Sequence, residues 1–191
     1  ELTKDLANYK SFVNLLQNTK AADIDGYDKF KTLLSNIDKL DDRIFMQGTV
    51  FEEYIYHLLR NNLELDDIMT GVKIEFNTNF TNELDILMMK DNHLHTIECK
   101  FVNSLNGEHY VYKTNSIMDY LDNDGKAMIL SIGADNVSIS KSKNKKVQFT
   151  NATKSRAENG NIKIHQSKIF NEDDFLSNVK EWFNISNKQV D

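Results

Sequence analysis

Two apolar stretches, residues 83–89 and 94–101, flank the four turn-prone residues Lys90-Asp91-Asn92-His93 and constrain the fold of this chain more than any other feature. Aspartate and asparagine favour tight turns because they tolerate left-handed backbone and hydrogen-bond to their own backbone. Apolar runs of this length on both sides of such a turn are typical of paired strands. The sequence therefore predicts a β-hairpin.

The hairpin register follows from the length of its loop. If the loop is the two residues Asp91 and Asn92, Asp85 lies directly opposite Glu98. Opposed residues of an antiparallel pair project to the same face with Cβ atoms roughly 5 Å apart. Lys100 shares that face and lies about 7 Å beyond Glu98 along the strand. A shift of one residue would move these side chains to different faces.

Two carboxylates held side by side repel each other, and a divalent cation between them removes that repulsion. Oxygen ligands favour Mg²⁺ or Mn²⁺, which leave other positions to water and substrate phosphate. Lys100 would orient or help deprotonate the attacking water, or stabilise charge on the phosphoryl oxygens. The reaction predicted from Asp85, Glu98 and Lys100 is phosphodiester hydrolysis. The alternative is a solvated row of salt bridges, but charges within strongly apolar strands are costly unless they are paired or functional.

A fourth candidate lies on the helix that precedes the strands. In the helix predicted over residues 49–61, Phe51, Ile55, Leu58 and Leu59 define the buried side. Because each residue turns the helix by about 100°, Glu52 falls at the edge of that side and Glu53 faces solvent. Glu52 is therefore predicted to reach toward the metal or orient a ligand, with a surface acid near a helix start as an equal alternative.

The rest of the chain predicts a mixed α/β fold with an antiparallel hairpin inside it. Apolar periodicity indicates further helices and strands on both sides of the hairpin. The predicted helices span residues 2–18, 29–40, 114–121 and 171–183, and the predicted strands span residues 71–76, 127–132 and 162–164.

Composition narrows the classes of function. The net charge of -6 argues against a uniformly basic nucleic-acid binder, although it permits a local basic strip. No apolar run approaches the roughly 20 residues that span a bilayer, so no membrane partner is expected. Cys99 is the single cysteine, which excludes an intrachain disulfide and a cysteine zinc site. We expect a cytoplasmic setting.

Three weaker signals are also present, and the first two have two interpretations each. A basic stretch would track a phosphate backbone or form a solvated loop; it comprises Lys141, Lys143, Lys145, Lys146, Lys154 and Arg156. Tyr110 and Tyr112 would stack on bases or pack at the rim of the core. His93 and His95 lack the further ligands that a metal site needs.

The segment NELDILMMKDNHLHTIECK, with GTVFEEYIYHLL before it, resembles the signature of the PD-(D/E)xK, or restriction-endonuclease-like, nucleases. Within that group it is most similar to the nuclease domain of CRISPR ancillary nucleases, which follows a CARF domain that senses cyclic oligoadenylate. The resemblance covers residues 47–183. Leu84 stands where the name-giving proline would be.

The resemblance implies a restriction-endonuclease-like mixed sheet flanked by helices over residues 47–191, with an N-terminal helical extension over residues 1–46. It implies that Asp85, Glu98 and the backbone carbonyl of Cys99 are metal ligands, that Lys100 is the catalytic lysine and that Glu52 is the acid of the first helix.

It also implies a DNA or RNA substrate, a homodimer, and regulation by cyclic oligoadenylate through a sensor domain in a longer parent protein. Two alternatives stay open at this stage. One is a restriction or repair endonuclease of the same fold, and the other is a non-catalytic nucleic-acid-binding module with a vestigial site.

Overall fold

A five-stranded mixed sheet with helices on both faces forms the described part of the chain. The computed structural model describes residues 48–77, 80–101, 107–122, 124–132, 149–167 and 170–188. The elements in chain order are α1 (Thr49–Asn62), β1 (Asp67–Asn77), β2 (Phe80–Lys90), β3 (His93–Phe101), α2 (Gly107–Leu121), β4 (Lys126–Ile132), α3 (Asn151–Asn159), β5 (Ile162–Ser167) and α4 (Glu172–Phe183).

The strands lie in chain order, β1-β2-β3-β4-β5. β1 with β2 and β2 with β3 are antiparallel, whereas β3 with β4 and β4 with β5 are parallel. The parallel connections pass through helices, as a crossover between parallel strands requires. The predicted mixed sheet flanked by helices is therefore confirmed.

The β2–β3 turn has the predicted two-residue loop. Asp91 and Asn92 have φ angles of 52° and 65°, which a hairpin turn with two left-handed residues requires. The paired residues run from Lys90↔His93 to Ile86↔Ile97. This is the predicted register, and we call these paired residues, 86–90 with 93–97, the hairpin end.

Apolar side chains on the two faces of the sheet form separate cores. On one face, α1 and α4 pack on strand residues that include Ile86, Ile97 and Leu130. On the other face, α2 and α3 pack on Ala127, Ile129 and other residues of β4 and β5. Successive strand residues alternate between the two cores because strand side chains have period two.

Helix α2 begins at Gly107, seven residues before the predicted start, so Tyr110 and Tyr112 lie on a helix rather than after a strand. Helix α3 was not predicted, because Thr153 and Ala157 are its buried residues and its apolar periodicity is weak. The threonine cap that starts it is clear: the Thr150 side chain accepts a hydrogen bond from the Thr153 N–H.

Helix α3 corrects the interpretation of the basic stretch as one loop. Lys154 and Arg156 lie on α3, and Arg156 pairs with Glu108 at 3.1 Å. Lys141, Lys143, Lys145 and Lys146 lie outside the described residues, as do the predicted helices 2–18 and 29–40 and the predicted extension 1–46. No helix of the described ranges combines the length and apolarity that a bilayer span needs.

Candidate active site at the split between two strands

β2 and β3 separate just beyond the hairpin end. Residues 80–84 of β2 continue to pair with β1, and residues 98–101 of β3 continue to pair with β4. At the point of separation the Asp85 Oδ2 atom accepts a hydrogen bond from the Cys99 backbone N–H at 2.7 Å. The Asp85 side chain, rather than a backbone carbonyl of β2, thus accepts the hydrogen bond from this N–H of β3. We call Asp85 with residues 98–101 the strand split.

Three predicted side chains meet at the strand split. The Lys100 Nζ atom lies 3.0 Å from Asp85 Oδ2 and 2.8 Å from Glu98 Oε1. Asp85 is 7% exposed and Glu98 is 3% exposed. The structure therefore brings Asp85, Glu98 and Lys100 together and removes them largely from solvent, although the pairing of β2 with β3 ends one residue before the predicted Asp85–Glu98 pair.

Burial and neighbouring charge act against each other in this cluster. Burial raises the pKa of Asp85 above its ordinary value, while the Lys100 ammonium opposes that rise. Burial by itself would lower the pKa of Lys100, but the carboxylates of Glu98 and Asp85 raise it overall. Lys100 is therefore a charged ammonium that compensates two buried carboxyl groups.

Glu52 faces the same cluster from α1. Its side chain is half-buried, whereas Glu53 is exposed and pairs with His57 at 3.8 Å. Burial, followed by repulsion from Asp85, raises the pKa of Glu52 from 4.5 to about 7. The helix geometry therefore selected the acid that is electrostatically coupled to the strand split.

Lys113 on α2 also belongs to the cluster, and the sequence reasoning missed it. Its Nζ atom lies 3.0 Å and 3.2 Å from the two carboxylate oxygens of Glu98. A signal for it exists once the helix is extended to Gly107. Lys113 then lies about 40° from the buried Ile117 on the helical wheel, at the edge of the packed side.

Cys99 contributes its backbone rather than its thiol. The thiol is buried in the core beneath α1, and burial raises its pKa, so it is a neutral group. Its N–H holds Asp85. Coordination of a metal by its carbonyl stays a prediction.

The donor set has the chemistry that Mg²⁺ or Mn²⁺ prefers, because Asp85, Glu98 and Glu52 offer hard carboxylate oxygens. In the described ranges no three His, Cys, Asp or Glu side chains form a ready-made metal cluster. The Lys100 Nζ atom contacts both Asp85 and Glu98, so its ammonium balances the carboxylates that would hold a cation. The residues fit a divalent cation provided that Lys100 moves aside.

Gly71 lies on β1 beside this cluster and has a left-handed backbone. It falls opposite Asp85, between the pairs Thr70↔Ile86 and Val72↔Leu84, and its φ is 63°. A Cβ atom there would make ordinary contact with Glu83, so the backbone conformation rather than space favours glycine.

His93, His95 and Trp182 lie apart from the strand split. His95 is buried, and its Nδ1 accepts a hydrogen bond from the Lys126 N–H at 3.1 Å, whereas His93 pairs with Asp122 at 3.4 Å. Trp182 packs near β4 and donates to the Ala127 carbonyl at 2.9 Å.

Tyr110 and Tyr112 of α2 have different surroundings. The Tyr110 ring lies 5.2 Å from Lys100 Nζ, whereas the exposed Tyr112 ring lies 4.5 Å from the Arg156 guanidinium. Tyr110 therefore borders the strand split, and Tyr112 belongs to a surface contact with α3.

Comparison with known proteins gives a family match and structural neighbours. The family model described as "Card1-like, endonuclease domain" matches residues 38–172. Comparison with curated protein sequences found no match.

Among solved structures, the chain is similar to Can2 from Sulfobacillus thermosulfidooxidans, solved in complex with cyclic tetra-adenylate. The TM-score is 0.56 and the identity 26%, over 76% of this chain and 39% of that one. It is also similar in fold to protein VC1899 from Vibrio cholerae, with a TM-score of 0.53 and 21% identity over 78% of this chain and 37% of that one. The chain thus spans well under half the length of either neighbour.

Proposed function

Because the chain belongs to the Card1-like endonuclease domain family, we propose that it hydrolyses phosphodiester bonds in nucleic acid with Mg²⁺ or Mn²⁺ at the strand split. The observation that supports this most is the convergence of Asp85 and Glu98 on one ammonium, with 3.0 Å and 2.8 Å from Lys100 Nζ to their oxygens. Buried carboxylates of this kind are costly unless they bind a cation.

In this proposal Asp85 and Glu98 bind the metal, and the Cys99 carbonyl completes the protein ligands. A divalent cation held there would supply Lewis-acid stabilisation of the phosphate and would make a water more acidic. The hydrogen bond from the Cys99 N–H keeps the Asp85 carboxylate oriented toward the strand split. Rigid orientation of a ligand lowers the reorganisation that binding requires.

Lys100 has two successive positions in the proposed mechanism. Without metal its ammonium compensates Asp85 and Glu98. Where the site holds a cation, Lys100 would face substrate and would donate to the attacking water or to a phosphoryl oxygen, where negative charge develops. Glu52, whose pKa is about 7, would be an anion beside the added positive charge and would orient a water or the metal.

The parent context is part of the same proposal. Can2 was solved with cyclic tetra-adenylate, and the resemblance to CRISPR ancillary nucleases associates such domains with a sensor of cyclic oligoadenylate. We therefore propose that this domain is the effector of a CRISPR-associated defence nuclease, and that it acts as a homodimer. Light scattering of the chain and of a sensor-containing parent, with and without cyclic tetra-adenylate, tests the assembly.

The decisive experiment incubates the chain with supercoiled plasmid and with single-stranded RNA, in Mn²⁺ or in chelator. We expect cleavage in Mn²⁺ alone, and its loss in Asp85→Ala, Glu98→Ala and Lys100→Ala. Glu53→Gln is the control, because Glu53 is exposed next to the proposed Glu52. Cleavage that persists in all three alanine variants would remove the proposed site. Mn²⁺ binding without cleavage of either substrate would favour a non-catalytic binding module.

A further inference from the structure

Lys113 contacts both of the strands that separate at the strand split. Its Nζ atom lies 3.0 Å and 3.2 Å from the Glu98 carboxylate oxygens on β3, and 3.3 Å from the Glu83 carbonyl oxygen on β2. β2 and β3 have ended their own pairing at Ile86↔Ile97. A side chain from α2 thus connects the two strands where their backbone hydrogen bonds stop.

The number of these contacts equals the number of hydrogen bonds that the Lys113 ammonium can donate. An ammonium has three N–H donors, and Lys113 has three acceptors within 3.3 Å among the residues that the structure describes. A direct contact with substrate phosphate would require Lys113 to give up one of them. The contacts therefore favour a role within the protein over a role in substrate binding.

Glu98 divides its charge between two ammonium groups. Its Oε1 atom lies 2.8 Å from Lys100 Nζ and 3.0 Å from Lys113 Nζ. If Lys100 moves aside for a metal, Lys113 still holds the carboxylate from α2. Without Lys113, Lys100 would be the remaining ammonium on Glu98, and a divalent cation would have to displace a stronger ion pair.

We propose that Lys113 is a positioning residue that acts through Glu98, keeping its carboxylate directed toward Asp85 so that both can bind one divalent cation. This inference rests on the proposed nuclease function. Partners that orient metal-binding carboxylates typically contribute 10- to 100-fold to metal affinity or activity.

Calorimetric titration of the 191-residue chain with Mn²⁺ tests the proposal without any substrate. We expect Lys113→Met to weaken Mn²⁺ binding by roughly 10- to 100-fold, and Lys113→Arg to recover most of the affinity because it keeps the charge. Lys180→Met is the matched control, since Lys180 on α4 contacts Asn187 at 3.1 Å. Unchanged or tighter binding in Lys113→Met would overturn the proposal, because removal of a merely repelling cation strengthens metal binding.

Cleavage kinetics distinguish positioning from substrate contact. At saturating Mn²⁺ we expect Lys113→Met to lower kcat while KM changes less than about twofold, as for loss of an interaction that acts on the chemical step. A raised KM with a smaller salt dependence would assign Lys113 to phosphate binding and overturn the inference. Should Lys113→Met fail to fold, Lys113→Gln takes its place in both measurements.

The outcomes also separate this inference from the proposed function. A wild-type chain that neither binds Mn²⁺ nor cleaves nucleic acid contradicts the nuclease proposal itself. A wild-type chain that does both, together with a Lys113→Met variant that matches it, contradicts only the role of Lys113.

Discussion

The hairpin end and the strand split are consecutive parts of the same two strands, and they are stabilised in opposite ways. At the hairpin end, β2 and β3 pair through their backbones and bury Ile86, Met88 and Ile97. At the strand split the Asp85 carboxylate accepts the Cys99 N–H, and ammonium groups balance the buried carboxylates. The hairpin end gains stability from apolar burial. The strand split lowers stability, because it holds charged groups away from solvent.

The largest effect on cleavage rate is expected from Asp85→Asn, at the strand split. Asparagine keeps an acceptor for the Cys99 N–H but loses the charge that would bind a metal, so cleavage should fall by at least about 10³-fold. The melting temperature should change less than it does in Ile97→Ala. Initial rates of plasmid and RNA cleavage in Mn²⁺ measure the effect. A variant within tenfold of wild type would exclude Asp85 as an essential ligand.

Ile97→Ala tests the hairpin end. Ile97 is fully buried, so removing three carbons leaves a cavity and should lower the free energy of unfolding by about 2–5 kcal/mol. Urea denaturation measures this change in the free energy of unfolding. Mn²⁺ affinity should stay near the wild-type value at temperatures where the variant is folded, because the strand split keeps its residues. Loss of metal affinity in proportion to stability would mean that the two regions are not separable.

Glu52→Gln tests the strand split through the pH dependence of the melting temperature. Because the pKa of Glu52 is about 7 in the folded chain and ordinarily 4.5, the folded state retains a proton that the unfolded chain releases between these values. Wild-type stability from this group therefore falls as pH rises from about 4.5 to 7 and then levels off. In chelator, the variant should melt near the wild-type temperature at pH 5 and on the order of 2–4 °C higher at pH 8.

Differential scanning fluorimetry at several pH values measures this difference, with Glu53→Gln as the control. A melting-temperature difference that does not vary with pH would contradict electrostatic coupling between Glu52 and the strand split.

His95 should give the smallest effect, and its sign is opposite. Burial lowers the pKa of His95 below 6.5, so below that pH the unfolded chain takes up a proton that the folded chain resists. Stability is then lost as pH falls below about 6.5. His95→Gln should reduce this loss by about 1–2 °C in melting temperature. An equal slope in variant and wild type would show that His95 does not titrate in this range.

Local sequence determined the hairpin and, through it, most of the candidate site. The register follows from the Asp91-Asn92 turn, and alternation along β3 then places Glu98 and Lys100 on the face of Asp85. Helix periodicity selected Glu52 over Glu53 in the same way. The resemblance to the nuclease family is confirmed by the family match over residues 38–172.

Features that depend on contacts between distant segments were not predictable. Lys113 meets Glu98 across 15 positions of sequence, and the start of α2 at Gly107 had to be known before its packed side could be assigned. Helix α3 lacks a continuous apolar stripe, because it rests on Thr153 and Ala157 and on a threonine cap. The basic stretch was interpreted as one loop because its composition is polar, and composition alone does not separate a polar helix from a loop.

The placement of the chain's single thiol has a practical consequence. Cys99 is buried between two residues of the strand split, and burial raises its pKa. A protonated, inaccessible thiol reacts with alkylating reagents only when the structure around it opens. The labelling rate of the native chain therefore reports how often the core beneath α1 opens next to the strand split, with no introduced probe. Added Mn²⁺ should slow that rate if a cation ties β2 and β3 together.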